Sequence, residues 1–553
     1  MLRMSRPTIL VPEKLSQEGL ALLSPHFDIT VTSLTPEELI AQIPSYHALI
    51  IRSETKVTAE VLLAAKNLKV VARAGVGVDN IDVPAATSRG VIVVNSPSGN
   101  IAAAAEHTIA LLLATARNIG QADGGSKLGK WERSKLVGIE VGRKTLGIIG
   151  LGKVGIRVAR MAKGLGMKVV AVDPFASPDM AKQEGVALAA DLDAMLPVVD
   201  FLTIHTPLLA TTMDLIGEKE LRRMKPSARV LNVARGGVYN EEALLNALEQ
   251  GWIGGAGLDV FTSEPPKQHS AAARLTSHPK VVATPHLGAS TVEAQENVSL
   301  DVCNQVLAIL QGGLPTSAVN APIILPEEYG KLQPAVQLVE KMGKLYTQHF
   351  VGLRGGMLGG RKFELTYHGD LAGMPNTKPL YAALVKGLVA DISDSHINIV
   401  NATLVAKEKG LVINETFNND TKDLLYANLV TLRAYDSSHC SSEQIIEGFT
   451  SDQRGYISKL DRFSASFSPE GTLIVLHNYD QPGKIGGVGT VLGSHGVNIR
   501  FMQVASLDAT MEMQNGKGNE ALMILGVDGQ MSAEVIDDLR KSEGVLNVSL
   551  VVL

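Results

Sequence analysis

Six residues, Gly150-Leu151-Gly152-Lys153-Val154-Gly155, space three glycines as Gly-x-Gly-x-x-Gly between two different periodicities. The apolar run Thr145-Leu146-Gly147-Ile148-Ile149 before them reads as a buried parallel strand, and Ile156 to Leu165 after them has helical spacing. A second strand pattern, Lys168 to Val172, ends at Asp173. Strand, glycine turn, helix, strand and acid together are the dinucleotide-binding βαβ unit. Gly150 permits the tight turn, Gly152 lets backbone approach a pyrophosphate, and Gly155 lets helix pack on strand. The helix N-terminus presents unpaired N–H groups and a positive dipole end to the phosphates. Asp173 would accept hydrogen bonds from the adenosine ribose and repel a 2′-phosphate. Pro174 and Phe175 follow it, with no Arg beside it to hold that phosphate, so the expected cofactor is NAD rather than NADP.

The rest of the chain must be built around that unit. Its 553 residues predict three or four domains. Short β-branched runs alternate with helical patterns over residues 1–99, at Thr8 to Val11, Ile29 to Val31, Ala48 to Ile51, Val70 to Ala72 and Val91 to Val94. Long helices are expected from Asn100 and from about Ser290 to Leu310. They bracket the dinucleotide unit and its further strands at Phe201 to Ile204, Val230 to Val233 and Val281 to Thr284. Two such helices imply two crossovers. A first domain of 1–99 plus 288–320 would therefore be interrupted by a second of 100–287, with a cleft between them. Prolines at 315, 322 and 326 mark a linker. Residues 330–460 then alternate helices and strands, and 465–553 open on the strand Thr472 to Leu476, followed by a helix and a strand at Val497 to Val504.

A net charge of −5 gives no reason to expect nucleic acid or an anionic membrane as partner. The longest apolar helix, Ile101 to Ala116, carries Glu106 and His107 and does not read as a membrane span. Cys303 and Cys440 lie too far apart for a metal motif, so no metal is expected. They suit a reducing compartment, and the cytoplasm is the expected location, or an organelle if a transit peptide has been removed.

Three motifs lie where ligands sit in doubly wound sheets, beyond the carboxyl ends of strands: Asn232-Val233-Ala234-Arg235-Gly236-Gly237, at the end of a predicted strand, Gly257-Leu258-Asp259-Val260-Phe261-Thr262-Ser263-Glu264-Pro265, and Thr284-Pro285-His286-Leu287-Gly288-Ala289. Their chemistry fits hydride transfer at a 2-hydroxy acid. His286 suits a base that takes the hydroxyl proton, and Glu264 suits a carboxylate that fixes its tautomer. Arg235 offers a planar two-point donor to a substrate carboxylate. Taken singly, the histidine is as well explained by core packing and the arginine by surface charge; the trio beside a cofactor motif is not.

With Arg73-Ala74-Gly75-Val76-Gly77-Val78-Asp79-Asn80 and Asn95-Ser96-Pro97, these motifs make the chain similar to the D-isomer-specific 2-hydroxyacid dehydrogenase family, in its long form acting on 3-phosphoglycerate. The resemblance implies NAD-dependent oxidation of 3-phospho-D-glycerate to 3-phosphohydroxypyruvate, the first step of L-serine biosynthesis, with Arg235, Glu264 and His286 catalytic. It implies NAD contacts at Lys153, Val154, Asp173, Thr206, Val233, Ala234, Asp259 and the turn from His286 through Gly288 to Ala289. The substrate phosphate needs its own site. Backbone N–H groups of the loop at Gly75 and Val76 can face an anion, Arg52 ends a strand beside it, and Ser53 and Asn100 are neighbours. Trp131 would anchor a subunit interface in a homodimer or homotetramer.

The implied fold is α/β: a Rossmann NAD domain inserted in a flavodoxin-like substrate domain, then an intervening α/β domain and a βαββαβ domain. Residues 465–553 resemble an ACT module, which binds amino acids. Asn478 and Asn498 would contact L-serine there as an effector. Another dehydrogenase of the family, such as a glyoxylate or hydroxypyruvate reductase, would share the catalytic motifs but not the C-terminal third. An NAD-sensing binding protein built like the corepressors of this fold would keep the trio but lack the ACT module.

Overall fold

The short apolar runs of the first hundred residues form strands, and the central ones, such as Ala48–Ile51, are covered on both faces. The computed structural model describes residues 6–352, 358, 361–392, 396–420, 425–435, 443–507, 520–528 and 531–553, so Cys440 lies outside the described residues. Strands β1 (Thr8–Val11), β2 (Asp28–Val31), β3 (Ala48–Ile51), β4 (Val70–Arg73) and β5 (Ile92–Asn95) form a parallel sheet in the order 2-1-3-4-5, the flavodoxin-like arrangement. One face is covered by the distant helix Val292–Leu310, whose Val298, Val302, Cys303 and Val306 share a core with Ile9, Ile50, Val70 and Val94. Burial pushes the Cys303 thiol up to about 12, so it packs as an inert small hydrophobe.

The second sheet contains β6 (Thr145–Ile149), β7 (Lys168–Val172), β8 (Ala187–Leu188), β9 (Phe201–Ile204), β10 (Arg229–Asn232), β11 (Gly255–Leu258) and β12 (Val281–Ala283). Its order, 12-11-10-9-6-7-8, is the doubly wound 3-2-1-4-5-6 order with one added edge strand. The order reverses between β6 and β9, beside the glycine turn. Helix Ile101–Ala116 packs on this sheet through Ala105, Leu111, Leu112 and Ala116. β11 was not expected, since Gly-Ala-Gly-Leu lacks β-branched residues. Here neighbours decide: β10 and β12 supply ladders on both sides, and a Cβ on Gly257 would come within 2.9 Å of Leu231 and 3.1 Å of Leu111. The helix after the glycine turn starts at Lys153 rather than Ile156, with Gly152 as its N-cap.

After helix Pro326–Leu345, strands β13 (Lys362–His368), β14 (Val412–Asn418), β15 (Leu429–Tyr435), β16 (Glu443–Ser451), β17 (Arg454–Leu460) and β18 (Phe463–Phe467) form one sheet, ordered 14-13-15-16-17-18. Only the β13–β14 pair is parallel. The expected alternation of helix and strand thus gives way to an antiparallel meander from β15 onward, reaching Phe467. The last sheet holds β19 (Thr472–Tyr479), β20 (Ile499–Ser506), β21 (Glu520–Val527) and β22 (Val545–Val552), ordered 20-21-19-22, with helices Lys484–Ser494 and Ala533–Lys541 in βαββαβ sequence. Its inner face, with Leu473, Val475, Leu522, Ile524 and Val551, joins one core with Leu338, Tyr346 and Phe363 of the preceding unit. No helix among the described residues is long and apolar enough to cross a membrane.

Candidate active site

β11 leads into Asp259, which is 1% exposed, and β12 leads into Thr284 and the turn carrying His286. The Asp259 carboxylate gathers that turn. It accepts from Thr284 Oγ1 at 2.6 Å, from the N–H of Leu287 at 2.7 Å and from the N–H of Gly288 at 2.8 Å, while its carbonyl accepts from the N–H of His286 at 2.9 Å. His107, from helix Ile101–Ala116, places Nε2 3.2 Å from the same carboxylate. Burial alone would raise the Asp259 carboxyl; the donors from His107, Thr284, Leu287 and Gly288 outweigh it and hold the group below its ordinary 3.8. Between these anchors His286 sits at φ 55°, a left-handed conformation that costs a non-glycine residue on the order of 1–3 kcal/mol.

His286 Nδ1 lies 2.6 Å from Glu264 Oε2, and Glu264 Oε1 accepts from the Phe261 N–H at 3.0 Å. Burial raises the Glu264 carboxyl, but the bonds from His286 and Phe261 prevail and keep it below its usual range. A carboxylate only accepts, so Nδ1 carries the proton and Nε2 is left with its lone pair. Arg235 follows β10. Asn232 shapes its loop, donating to the Arg235 carbonyl at 2.8 Å and accepting from the Ala234 N–H at 3.0 Å. The guanidinium crosses to the first domain and meets Asp79 Oδ2 at 3.3 Å. Gly77 makes room for it, since a Cβ there would lie 2.1 Å from Arg235 Nη2.

These side chains line an inter-domain cleft of about 640 Å³, with Lys56, Arg73, Val76 and Asn100 from or beside the first sheet and Ala289 from the histidine turn. Arg73 is the residue that sequence reasoning undervalued. Its Nε is buried without a partner, and Gly75, at φ 154°, leaves the space its guanidinium occupies. Burial, then the nearby Arg235, draw its pKa down, with Asp79 and Glu13 opposing. Arg52 and Ser53 are not among the residues lining the cleft; Glu13 accepts from the Arg52 N–H at 2.9 Å, and Ser53 is exposed. β4 ends in Arg73, and Arg52 directly follows β3. What separates them is that β4 runs straight into the glycine loop. Lys56 carried no such signal.

The glycine turn has the geometry a dinucleotide needs. Gly150, at φ 90°, faces the His205 carbonyl, where a Cβ would come within 2.7 Å. A Cβ on Gly155 would meet the Gly150 carbonyl oxygen at 2.2 Å, so helix and strand close only around a glycine. Gly152 differs: a Cβ there meets nothing within 4 Å, and φ is −77°. Neither packing nor conformation requires glycine at 152, whereas a ligand against the helix N-terminus does. Asp173 closes the loop, accepting from the Leu151 and Phe175 N–H groups at 2.8 Å each. Thr206 Oγ1 is buried nearby without a partner. Val154 packs into the core under the helix. Lys153 reaches across to Ser98 Oγ at 2.8 Å. Val233 and Ala234 continue the arginine loop, and a Cβ on Gly288 would strike Val233 at 2.7 Å. This cradle fits the pyrophosphate and ribose of NAD.

Residues 109–288 match the NAD binding domain of the D-isomer specific 2-hydroxyacid dehydrogenases, and 331–453 match the D-3-phosphoglycerate dehydrogenase intervening domain. The chain is 41% identical over 547 residues to D-3-phosphoglycerate dehydrogenase 2, chloroplastic, of Arabidopsis thaliana, across 96% of this chain and 84% of that protein. It is 40% identical to the D-3-phosphoglycerate dehydrogenase of Archaeoglobus fulgidus, across 99% and 100% of the two chains. The chain belongs to the D-3-phosphoglycerate dehydrogenase family. Among solved structures, D-lactate dehydrogenase from Aquifex aeolicus, complexed with NAD and lactic acid, superposes with TM-score 0.51 and 25% identity over 57% of this chain and 99% of that one.

Beyond the part shared with that smaller dehydrogenase, this family member carries a second cavity, of about 290 Å³, in the βαββαβ unit. Asn478, Pro482, Gly483, Lys484 and Ser542 line it. Asn478 is 2% exposed and its Oδ1 has no partner. Asn498 is not among the lining residues; it donates to Asp528 at 3.2 Å on the surface. Trp131 is 81% exposed, on one segment with exposed Leu128 and Val137.

Proposed function

We propose that this chain oxidises 3-phospho-D-glycerate to 3-phosphohydroxypyruvate with NAD, the first step of L-serine synthesis. The observation that carries the reading is the convergence of Arg235, the Glu264–His286 pair and the cations Lys56 and Arg73 on one cleft. Arg235 takes the substrate carboxylate with its fork, exchanging Asp79 for it. His286 Nε2 takes the hydroxyl proton from C2, and Glu264 stabilises the imidazolium that forms. Lys56 and Arg73 receive the phosphate, with Val76 and Asn100 shaping the wall. NAD, when bound, supplies the hydride acceptor. Gly150, Gly152, Gly155 and the N–H groups at Lys153 and Val154 hold its pyrophosphate, Asp173 and Thr206 its adenosine side, and Val233, Ala234, Asp259, Gly288 and Ala289 border its nicotinamide end.

The protein works as a cytoplasmic homo-oligomer, a dimer through Leu128, Trp131 and Val137 being its smallest unit. L-serine binds the cavity at Asn478, where a buried carbonyl oxygen awaits a donor such as the serine ammonium. Titration calorimetry of L-serine into the full chain and its Asn478→Ala variant tests this, because the last sheet shares its core with the preceding unit; equal heats would reject the site. The main reading is tested by NADH formation from 3-phosphoglycerate, D-glycerate and D-lactate. It requires a kcat/KM for the phosphorylated acid at least about a hundredfold above the others, the worth of two charge-assisted contacts from Lys56 and Arg73 to phosphate. Equal values would assign a general 2-hydroxyacid dehydrogenase, and no turnover of any would favour a binding protein.

A further inference from the structure

We infer that His107 is a positioning residue for the proton-carrying histidine, acting through Asp259. The inference rests on the dehydrogenase reading of the cleft. Among the described residues, the donors to the Asp259 carboxylate fall into two groups. Thr284, Leu287 and Gly288 belong to the histidine turn itself. His107 comes from outside it, on the second turn of helix Ile101–Ala116, the helix that leads out of the first domain. Its Nε2 stands 2.9 Å from Thr284 Oγ1 as well as 3.2 Å from Asp259 Oδ1. Thr284 spends its proton on Asp259, so both oxygens accept and His107 must present Nε2–H to them.

That one N–H ties the turn to the inter-domain helix. The N-cap of the same helix, Asn100, lines the cleft opposite His286. Substrate wall and proton carrier are therefore set against each other by a single rigid element, with His107 as the fastening at the histidine end. The turn needs such a fastening because His286 is held in a left-handed conformation that an unrestrained residue would leave. With His107 removed, Asp259 keeps three donors and the fold survives, but the imidazole loses its fixed distance from the substrate. Misplacement on that scale costs about 10- to 100-fold in rate.

Two variants separate a positioning role from packing. His107→Leu keeps the volume and removes the donor; His107→Gln keeps a donor N–H at the far end of the side chain. Steady-state oxidation of 3-phosphoglycerate should show kcat down about tenfold or more in His107→Leu, KM for substrate nearly unchanged, and kcat restored to within about threefold of wild type in His107→Gln. Melting temperatures of both variants report whether the fold is kept. Leu matching wild type, or Gln failing as badly as Leu, would overturn the inference, as would a loss in Leu that lies in KM. Absence of turnover in the wild-type protein would instead count against the dehydrogenase reading.

Discussion

Changing Glu264 to Gln alters one atom and reverses a proton. In the native pair, Oε2 accepts from His286 Nδ1 and Oε1 accepts from the Phe261 N–H. A glutamine can keep only one of these acceptors. If its oxygen stays on Phe261, its NH₂ faces Nδ1, which must then accept, and the imidazole proton moves to Nε2, where the substrate hydroxyl proton should go. If its oxygen stays on Nδ1, its NH₂ faces the Phe261 N–H across 3.0 Å and leaves a half-buried donor unpaired. That second arrangement costs roughly 1–3 kcal/mol, so the competent tautomer falls by roughly 5- to 150-fold. Loss of the carboxylate that steadies the imidazolium adds to this, and exposure of both side chains near 37% and 47% keeps the addition small, about tenfold. We expect Glu264→Gln to lower kcat by roughly 10²–10³-fold, less than the roughly 10⁴-fold seen when the buried carboxylate of a catalytic triad is amidated elsewhere, with NAD binding unchanged by calorimetry. Glu264→Asp should recover part of the loss. A Glu264→Gln enzyme within fivefold of wild type would refute the tautomer argument.

Arg235→Lys should lower kcat/KM for substrate by about a hundredfold or more, since an ammonium cannot reproduce a two-point contact; a change below about threefold would remove Arg235 from carboxylate binding. Gly152→Ala should leave the melting temperature within a few degrees, an N-cap change of about 1 kcal/mol, and weaken NAD at least about tenfold. Gly155→Ala should instead destabilise the fold, because its Cβ lands 2.2 Å from a backbone oxygen. If Gly152→Ala bound NAD like wild type, the open face of that glycine would have no ligand. Asp259 has a lowered carboxyl in the fold, so its contribution to stability is present above its ordinary 3.8 and is lost as pH falls through the lower folded value. The melting temperature of wild type should therefore fall more steeply below about pH 4 than that of Asp259→Asn; parallel curves would show that the turn owes nothing to that charge.

Much of this was legible in the chain, and the reasons differ by element. β1, β3, β6 and β9 have the predicted ends because a parallel strand buried on both faces is a continuous β-branched run with polar residues at its borders. β11 was illegible because its glycines answer to neighbours rather than to strand propensity: Gly257 makes room for the helix at Leu111, and Gly255 for the Lys280 carbonyl. Arg235, Glu264 and His286 could be chosen because strand ends converge in a doubly wound sheet, and the structure brings all three to one cleft. Lys56 and Arg73 come from the other domain, and no local pattern states which of the two arginines at the ends of neighbouring strands, Arg52 or Arg73, will face the cleft. The same limit applies to Asn498: its neighbourhood depends on how β20 packs, and it pairs with Asp528 at the surface rather than lining the cavity that Asn478 borders. His107 sits in a helix whose apolar residues read as core packing, and its role is visible only through Asp259.

The central claim, that His286 carries the proton in a hydride transfer at C2 of 3-phosphoglycerate, is tested most directly by kcat for NADH formation in His286→Ala beside wild type, with NAD affinity measured on both. A positioned acid–base group contributes roughly 10²–10⁴-fold, so kcat should fall by that much with NAD bound as before. A variant that kept more than about a tenth of the wild-type kcat on the same scale would contradict the claim.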